Sequence, residues 1–211
     1  MDEGSRIATA QQGDITAFNR LVLQYQDMAY SLAYRIMSDP DAAADAAQEA
    51  FISAYQGLPR FRGGSFKAWL MRIVVNACYD ELRRRKRHPQ EPLDGPQAEE
   101  PIPASPLNST PESPEAYVQR RELSRLLQAG IAQLPEDQRT ILVLSDIQGF
   151  DYAEIAEVVG VPAGTIKSRL HRARAKLRDY LRDQEELLPA RYRLGDRRNQ
   201  RDQVSSEEPG L

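Results

Sequence analysis

Cysteine, histidine and long apolar runs are scarce in this chain of 211 residues. Its single cysteine, Cys78, excludes an intrachain disulfide and a cysteine-based metal site. The two histidines, His88 and His171, are far apart in sequence, and neither stands near other residues at metal-ligand spacing. We therefore predict that the protein binds no metal and needs no cofactor, and that Cys78 is a small residue of the core.

Signals for membrane insertion and for β-strands are also lacking. No apolar run approaches the roughly 20 residues that a membrane-spanning helix needs, and Asp2 and Glu3 stand where a signal peptide would be basic. Neither half of the chain shows the alternation of apolar and polar residues that is typical of strands. The sequence thus predicts an all-α, cytoplasmic protein without membrane insertion.

The formal net charge is only −3, but the charges are segregated along the chain. Residues 83–87 are five consecutive cations, and residues 163–182 contain seven cations and one anion. Residues 89–116 contain six acids, no lysine or arginine, and eight of the fourteen prolines. Because such a composition cannot form a packed element, we predict an extended linker between two nucleic-acid contacts.

The linker, residues 89–116, divides the chain into two predicted helical domains, residues 13–88 and residues 117–184. The termini, residues 1–12 and 185–211, are predicted to be disordered. In the first domain Asp14 can cap a long helix, which ends near Ser38, and Asp39 can cap the next. Fully extended, the 28 linker positions would reach about 90 Å, which exceeds two turns of DNA at about 35 Å each.

A helix-turn-helix is predicted over residues 152–174, with a tight break at residues 160–164. In its second helix Ile166, Leu170 and Ala173 begin an apolar stripe that can contact the first helix. Pro162 leaves the start of that helix without a side-chain cap, so a DNA phosphate could accept its free N–H groups. A solvated basic helix would explain the charges alone equally well, but the turn favours DNA binding. The predicted DNA contacts are Thr165, Lys167, Ser168, Arg169, His171, Arg172 and Arg174.

Two surfaces of the first domain are also candidates for function. A polar stripe on its second helix, formed by Asp45, Glu49, Ile52 and Gln56 with Gln48 at its margin, is either a solvated face or a docking face, and the periodicity places Phe51 in the core. On the third helix Trp69, Ile73 and Ala77 are predicted to face the bundle, whereas five residues project outward: Asn76, Asp80, Arg83, Arg84 and Arg87. A basic helix end beside a loop with an aromatic residue can grip a backbone and bind unstacked bases.

Several short motifs in this chain occur in a fixed order and spacing. They are Gly13-Asp14 with Ala17-Phe18, residues 45–51, Phe61-Arg62-Gly63, Trp69-Leu70 with Ile73 and Asn76, Leu134-Pro135, and residues 164–174. Together they resemble a bacterial RNA polymerase sigma factor of the extracytoplasmic-function (ECF) group, which keeps only the region 2 and region 4 domains. The resemblance spans about residues 13–88 and 117–182. It implies a subunit without enzymatic activity that directs promoter-specific transcription initiation.

The resemblance also implies a role for each surface. Asp45, Gln48 and Glu49 would dock on the clamp helices of the largest polymerase subunit, and the second domain would sit on the flap of the second-largest subunit. The second helix of the helix-turn-helix would read the −35 promoter element. The −10 element would be melted and held by Phe61, Arg62, Lys67, Asn76, Asp80, Arg83, Arg84 and Arg87. The resemblance further implies a monomer when free and an anti-sigma factor as a partner.

Two other classes of protein share some of these features. A two-domain helix-turn-helix regulator that acts without joining the polymerase would explain the second domain equally well. It would not explain the Asp45 stripe, the aromatic loop or the Asn76 helix. An enzyme such as a serine recombinase fits less well, because the first domain offers no nucleophile with a base and no glycine-rich phosphate loop.

Overall fold

The computed structural model describes residues 2–87 and 113–188, which form helices and turns without a strand. The N-terminal domain comprises α1 (Glu3–Gln11), α2 (Ile15–Met37), α3 (Pro40–Gly57) and α4 (Phe66–Arg87), with a 3₁₀ turn at Leu58–Arg60. The all-α prediction is confirmed for this described part of the chain. None of its helices is both long enough and apolar enough to cross a membrane.

The C-terminal domain comprises four further helices. These are α5 (Pro114–Ala132), α6 (Glu136–Leu142), α7 (Tyr152–Val159) and α8 (Ala163–Asp183). A π-helical turn, Val143–Ile147, continues α6. Glycine is needed at two positions in this domain. Gly160 ends α7 in the left-handed conformation, with φ of 71°. Gly130 lies where an added Cβ would be 2.6 Å from the ring of Tyr180.

Short polar side chains fix the ends of the first helices, as predicted. Asp14 accepts hydrogen bonds from the N–H groups of Thr16 (2.7 Å) and Ala17 (3.1 Å) at the start of α2. Ser38 adopts a left-handed conformation at the end of α2, and Asp39 accepts from Ala42 N–H (3.0 Å) at the start of α3. These residues set the sharp reversal that lays α3 along α2.

The core of the N-terminal domain differs in detail from the predicted one. Cys78 is fully buried, as predicted, and so are Met71 and Val74, whereas Trp69, Ile73 and Ala77 are only half-buried. The buried stripe is shifted because α4 contacts α2 and α3 on one side and α7 on another. Phe51, which the periodicity placed inside, is also half-buried, and it lines an open groove between α2 and α3.

Three predicted domain boundaries need correction. The N-terminal segment is not disordered: Asp2 caps α1, and the helix buries Ala10 against the bundle. Helix α5 begins at Pro114 rather than residue 117, because Ser113 caps it and proline suits its first turn. Residues 185–188 continue the C-terminal domain, since Leu188 is buried. The remaining linker and tail, residues 88–112 and 189–211, lie outside the described residues.

The two domains contact each other directly. Helix α4 lies against α7, and α2 contacts α5, α6 and the π-helical turn. Buried residues of both domains, from Ala10 to Ala173, therefore form one continuous apolar cluster. This arrangement determines which of the predicted site residues face solvent.

Candidate nucleic-acid interfaces

Helix α8 has the amphipathic character that the sequence predicts. Ile166, Leu170 and Ala173 are buried on its inner stripe. Its first turn has no side-chain cap, as expected from Pro162. Lys167, Ser168, His171 and Arg172 are exposed along the outer face, and Thr165 is half-buried. The start of α8 thus presents unsatisfied N–H groups and cations to solvent, a combination that attracts phosphate.

Two arginines of α8 are held by acids of the same domain. Arg174 makes a bidentate ion pair with Asp146, at 2.6 and 2.9 Å. These hydrogen bonds lower the pKa of the Asp146 carboxyl. Arg169 contacts Asp137 at 3.2 Å. Both cations are therefore oriented by the domain, whereas Arg172 forms no ion pair within the described residues.

An aromatic cluster anchors the loop before α4. The ring of Phe61 lies 5.1 Å from that of Trp69 and 5.7 Å from that of Phe66, measured between centroids. Gly63 and Gly64 both have positive φ in the exposed part of the loop. Ser65 accepts from Ala68 N–H (3.1 Å) and so caps α4. The loop therefore combines a rigid aromatic base with an exposed basic rim that includes Arg62.

The basic end of α4 is exposed but internally paired. Arg83 contacts Asp80 at 2.7 Å, and Arg84 contacts Glu81 at 2.7 Å. Arg87 is exposed at the last position of the helix, and Asn76 is exposed on the same face, three turns earlier. Both pairs link residues of one helix, and both arginines are exposed. Exposed ion pairs contribute little stability, so the arginines can exchange them for contacts with phosphate.

The predicted docking stripe lies on an exposed face of α3. Asp45, Gln48 and Glu49 are all exposed. Asp45 and Glu49 border an open groove with Asn76, Asp80 and Arg84 of α4. Gln48 borders a second, apolar groove with Phe51 and Ile52. The acidic stripe and the α4 surface are thus neighbours on one side of the N-terminal domain.

Lys67 has an unexpected position. Its ammonium group lies 3.9 Å from the centroid of the Phe150 ring in the C-terminal domain and donates to the carbonyl of Gln148 at 3.4 Å. Of the site residues predicted in the N-terminal domain, Lys67 alone makes a polar contact with the C-terminal domain over the described ranges 2–87 and 113–188. It is therefore separated from the solvent-facing residues Arg62 and Asn76.

Sequence patterns missed several residues that support these surfaces. Gln11 donates from Nε2 to the carbonyls of Leu58 (3.2 Å) and Phe61 (2.8 Å), although its segment was predicted to be disordered. Tyr79 donates to Thr140 at 2.8 Å. Burial raises the pKa of the Tyr79 hydroxyl, which stays protonated. The periodicity of α1, with Ile7 and Ala10 four and one positions before Gln11, could have identified a packed helix there.

Comparison with known proteins identifies both domains. Residues 21–88 match the family Sigma-70 region 2, and residues 124–177 match Sigma-70, region 4. The chain is 40% identical over 169 residues to the RNA polymerase sigma-H factor of Pseudomonas aeruginosa, covering 80% of this chain and 88% of that protein. It is 39% identical over 181 residues to the ECF RNA polymerase sigma factor SigW of Bacillus subtilis, covering 84% and 96%.

A further relative is longer than this chain. The ECF RNA polymerase sigma factor SigE of Mycolicibacterium smegmatis is 38% identical over 174 residues, and the match spans 82% of this chain and 65% of that protein. The relatives from Pseudomonas and Bacillus, in contrast, are matched over most of their length.

Solved structures agree with the sequence comparisons. The sigma factor RpoE in complex with the anti-sigma factor NepR, from Bartonella quintana, gives a TM-score of 0.62 at 26% identity, covering 79% of this chain and 98% of that chain. CnrH in complex with the cytosolic domain of CnrY gives 0.61 at 28% identity, covering 83% and 94%. Taken with the region 2 and region 4 matches, these similarities show that the chain belongs to the ECF sigma factors of the sigma-70 family, non-catalytic subunits that direct promoter-specific transcription initiation by RNA polymerase.

Proposed function

We propose that the two domains divide promoter recognition between two surfaces. The reading surface is the outer face of α8, formed by Thr165, Lys167, Ser168, Arg169, His171, Arg172 and Arg174, and it contacts the −35 element in the major groove. The melting surface comprises the loop before α4 and the outer face of α4, and it opens the −10 element. Its residues are Phe61, Arg62, Lys67, Asn76, Asp80, Arg83, Arg84 and Arg87. The observation that carries this assignment is the aromatic cluster at Phe61 beside exposed cations.

The chemistry of the melting surface suits single-stranded DNA. A base that leaves the duplex recovers about 1–3 kcal/mol when it stacks on an aromatic side chain. This gain is comparable with the mean of about 1.4 kcal/mol lost per base-pair step. Phe61 supplies such a ring, and the arginines near the end of α4 supply charge for the backbone. The protein therefore shifts an opening equilibrium without catalysing a covalent step.

The docking stripe of α3 supplies the contact with core polymerase in this proposal. Asp45, Gln48 and Glu49 are exposed acids and an amide on a rigid helix, which suits a basic partner surface such as the clamp helices of the largest subunit. The C-terminal domain would contact the flap of the second-largest subunit. Since polymerase works on the chromosome, this assignment places the protein in the cytoplasm.

An anti-sigma factor is proposed as a further partner. The Bartonella sigma factor of similar fold was solved in complex with one. The apolar groove of this chain between α2 and α3, lined by Phe18, Val22, Phe51, Ile52 and Tyr55, offers a surface that an amphipathic helix could cover. Such a partner would compete with polymerase for the face that carries Gln48.

Transcription reconstituted from core polymerase and this protein tests the docking assignment. Asp45→Ala combined with Glu49→Ala should weaken binding to core polymerase and reduce specific transcripts by the same factor. Asp27→Ala removes an exposed acid from α2 and should leave both unchanged. Unaltered core binding by the double variant would contradict the docking role.

Promoter opening tests the melting assignment separately. Phe61→Ala should leave core binding intact but reduce the permanganate reactivity of thymines in the −10 region. A template that already carries a mismatched bubble at this position should restore transcription. Full opening by the Phe61→Ala holoenzyme on a paired template would show that the ring takes no part in melting.

A further inference from the structure

The reading surface of α8 receives an ion pair from a neighbouring element of its own domain. Asp146 lies in the π-helical turn that continues α6, after the buried residues 141–144. Both of its carboxylate oxygens accept from Arg174 of α8: Oδ1 from Nη2 at 2.6 Å and Oδ2 from Nε at 2.9 Å. Turns of the π type are frequent at functional sites. This turn brings a carboxylate from the edge of the core to a cation of the proposed DNA-binding helix.

The four cations of the reading surface differ in their partners. Arg174 forms the bidentate pair with Asp146, and Arg169 contacts Asp137 of α6 at 3.2 Å. The two cations without an ion pair among residues 2–87 and 113–188 are Lys167 and Arg172. The reading surface thus combines two cations that acids outside α8 hold in place with two that no such acid holds.

The bidentate pair limits the contacts that Arg174 can make with DNA. A guanidinium has five N–H donors, and Asp146 accepts two of them, so three remain for DNA. The carboxylate is charged at neutral pH, because its hydrogen bonds with Arg174 lower its pKa. The guanidinium is therefore partly neutralised, and it cannot turn to follow a phosphate at an arbitrary position.

Fixed and mobile cations contribute differently to DNA recognition. Contacts between cations and phosphates supply the non-specific affinity of proteins for DNA. A mobile arginine can make such a contact in any register. A fixed arginine needs a phosphate at one place and so helps to set the register of the helix in the groove. An acid that fixes an arginine therefore lowers the affinity for arbitrary sequences more than the affinity for the site that fits.

We propose that Asp146 is a positioning residue that makes the reading surface selective, because it holds Arg174 where only a correctly placed −35 element can use it. The inference rests on the proposed function of α8. Asp137 acts on Arg169 in the same sense, but through a single contact, so its effect is smaller. Selectivity is thus set in part by acids that do not themselves bind DNA.

Binding of the full chain to two duplexes tests the role of Asp146. One duplex carries the −35 element of a promoter mapped with the wild-type holoenzyme, and the other carries the same bases in scrambled order. Asp146→Asn should bind the scrambled duplex roughly three- to tenfold more tightly, because Arg174 becomes free to contact a phosphate. Its affinity for the −35 duplex should not rise, so the preference for that duplex should fall by the same factor. Fluorescence anisotropy at several salt concentrations measures both affinities, and the log–log salt slope for the scrambled duplex should steepen by about 0.9.

Three further variants distinguish positioning from a simple effect of charge. Asp146→Glu retains a carboxylate and should retain the preference of the wild type. Arg174→Lys retains the charge but cannot form the bidentate pair, so it should lose the preference as Asp146→Asn does. Asp179→Asn removes an acid of α8 that pairs with Arg178 and Arg182 outside the reading surface. It should change the affinities for both duplexes by the same factor.

The outcomes separate this inference from the proposed function. Equal tightening on both duplexes by Asp146→Asn would show that the carboxylate acts through its charge alone and would overturn the positioning role. A wild-type preference in both Asp146→Asn and Arg174→Lys would overturn it as well. Failure of the wild-type chain to prefer the −35 duplex would instead contradict the proposed function of α8.

A different observation supports a second inference, on how the loop before α4 is held. Gln11 of α1 donates from one amide group to the carbonyls of Leu58 and Phe61. These carbonyls lie at the start of the 3₁₀ turn and directly after it, where the Phe61 ring contacts Trp69. We infer that Gln11 is a positioning residue for promoter melting, which rests on the proposed function of Phe61.

Matched glutamine variants test this role. Gln11→Ala should slow promoter opening by about three- to tenfold, the value of a small number of hydrogen bonds, while core binding stays unchanged. Gln12→Ala, at the exposed neighbouring position, should open promoters normally. A template with a preformed bubble should restore transcription by the Gln11 variant. Normal opening by Gln11→Ala would overturn the inference, whereas normal opening by Phe61→Ala would overturn the proposed function itself.

Discussion

The two basic surfaces of this sigma factor differ in their surroundings. The outer face of α8 projects into solvent, and its ion pairs, such as Arg174 with Asp146, lie within its own domain. The proposed melting surface of the N-terminal domain instead contacts the C-terminal domain at Lys67 and lies close to Glu157 of that domain. The proposed melting surface is thus partly covered by the C-terminal domain, whereas the proposed reading surface is open to solvent.

The domains also differ in how tightly their helices approach. In the C-terminal domain Gly130 of α5 lies directly against Tyr180 and Leu177 of α8, so that an added Cβ would be 2.6 and 2.7 Å from their side chains. In the N-terminal domain Gly57 has its nearest such neighbour, Trp69, at 3.4 Å. The packing of α5 on α8 thus depends on a glycine at the contact, whereas the packing of α3 on α4 leaves room for a side chain at Gly57.

Substituting alanine for these two glycines should reveal the largest difference between the domains, measured as the loss in free energy of unfolding. Gly130→Ala should lower the free energy of unfolding by about 1–3 kcal/mol, since the methyl group overpacks α5 against α8. Gly57→Ala should change it by less than about 1 kcal/mol, because the new contact is ordinary and alanine favours the helix. Urea denaturation followed by circular dichroism measures both values. A larger loss for Gly57→Ala would show that the contact of α5 with α8 yields easily.

DNA binding by the free protein should sharpen the contrast between the two surfaces. Arg172→Ala should weaken binding of the free chain to a −35 duplex by roughly tenfold, equivalent to about 1.4 kcal/mol, if Arg172 reaches a base edge. Arg83→Ala should leave that binding nearly unchanged, because Arg83 lies on α4, outside the proposed reading surface, and pairs with Asp80. Fluorescence anisotropy at fixed salt measures both affinities. Equal weakening by the two variants would mean that the free protein uses both surfaces.

Local signals in the sequence were sufficient for most helix ends and for the face of α8. Asp14, Ser38 and Asp39 act through atoms within four residues, so their roles follow from sequence order alone. The buried stripe at Ile166, Leu170 and Ala173 follows in the same way from helical periodicity. The family resemblance then supplied the polymerase context, which the region 2 and region 4 matches bear out.

Contacts between distant residues could not be predicted in this way. Gln11 bonds to carbonyls about 50 positions away, and Gln128 meets Ser38 from a different domain. Lys67 was predicted to face DNA, and no pattern near it indicates that Phe150 lies beneath its ammonium group. The half-burial of Trp69 has the same origin, because α7 shifts the buried face of α4. Contacts of this kind depend on how whole helices pack against one another, and the local periodicity of a single sequence does not specify that packing.

The smallest expected effect concerns one ion pair in each domain. Arg174 hydrogen-bonds Asp146 and thereby lowers the pKa of that carboxyl. For Asp39 burial acts in the opposite sense, but the Ala42 N–H and Arg85 lower its pKa. A carboxyl with a lowered pKa stabilises the folded state above its unfolded pKa of about 3.9. This contribution disappears as the pH falls through the lower folded pKa.

Asparagine at either acid should therefore reduce stability at neutral pH and not at low pH. Both pairs are partly exposed, so Asp146→Asn and Asp39→Asn should each cost less than about 1 kcal/mol at pH 7. Asparagine can still accept from the Ala42 N–H, so the second variant retains the helix cap. Urea titrations at pH 7 and below pH 3 measure the difference from wild type. A difference that persists at the lower pH would mean that the side chains contribute through packing rather than charge.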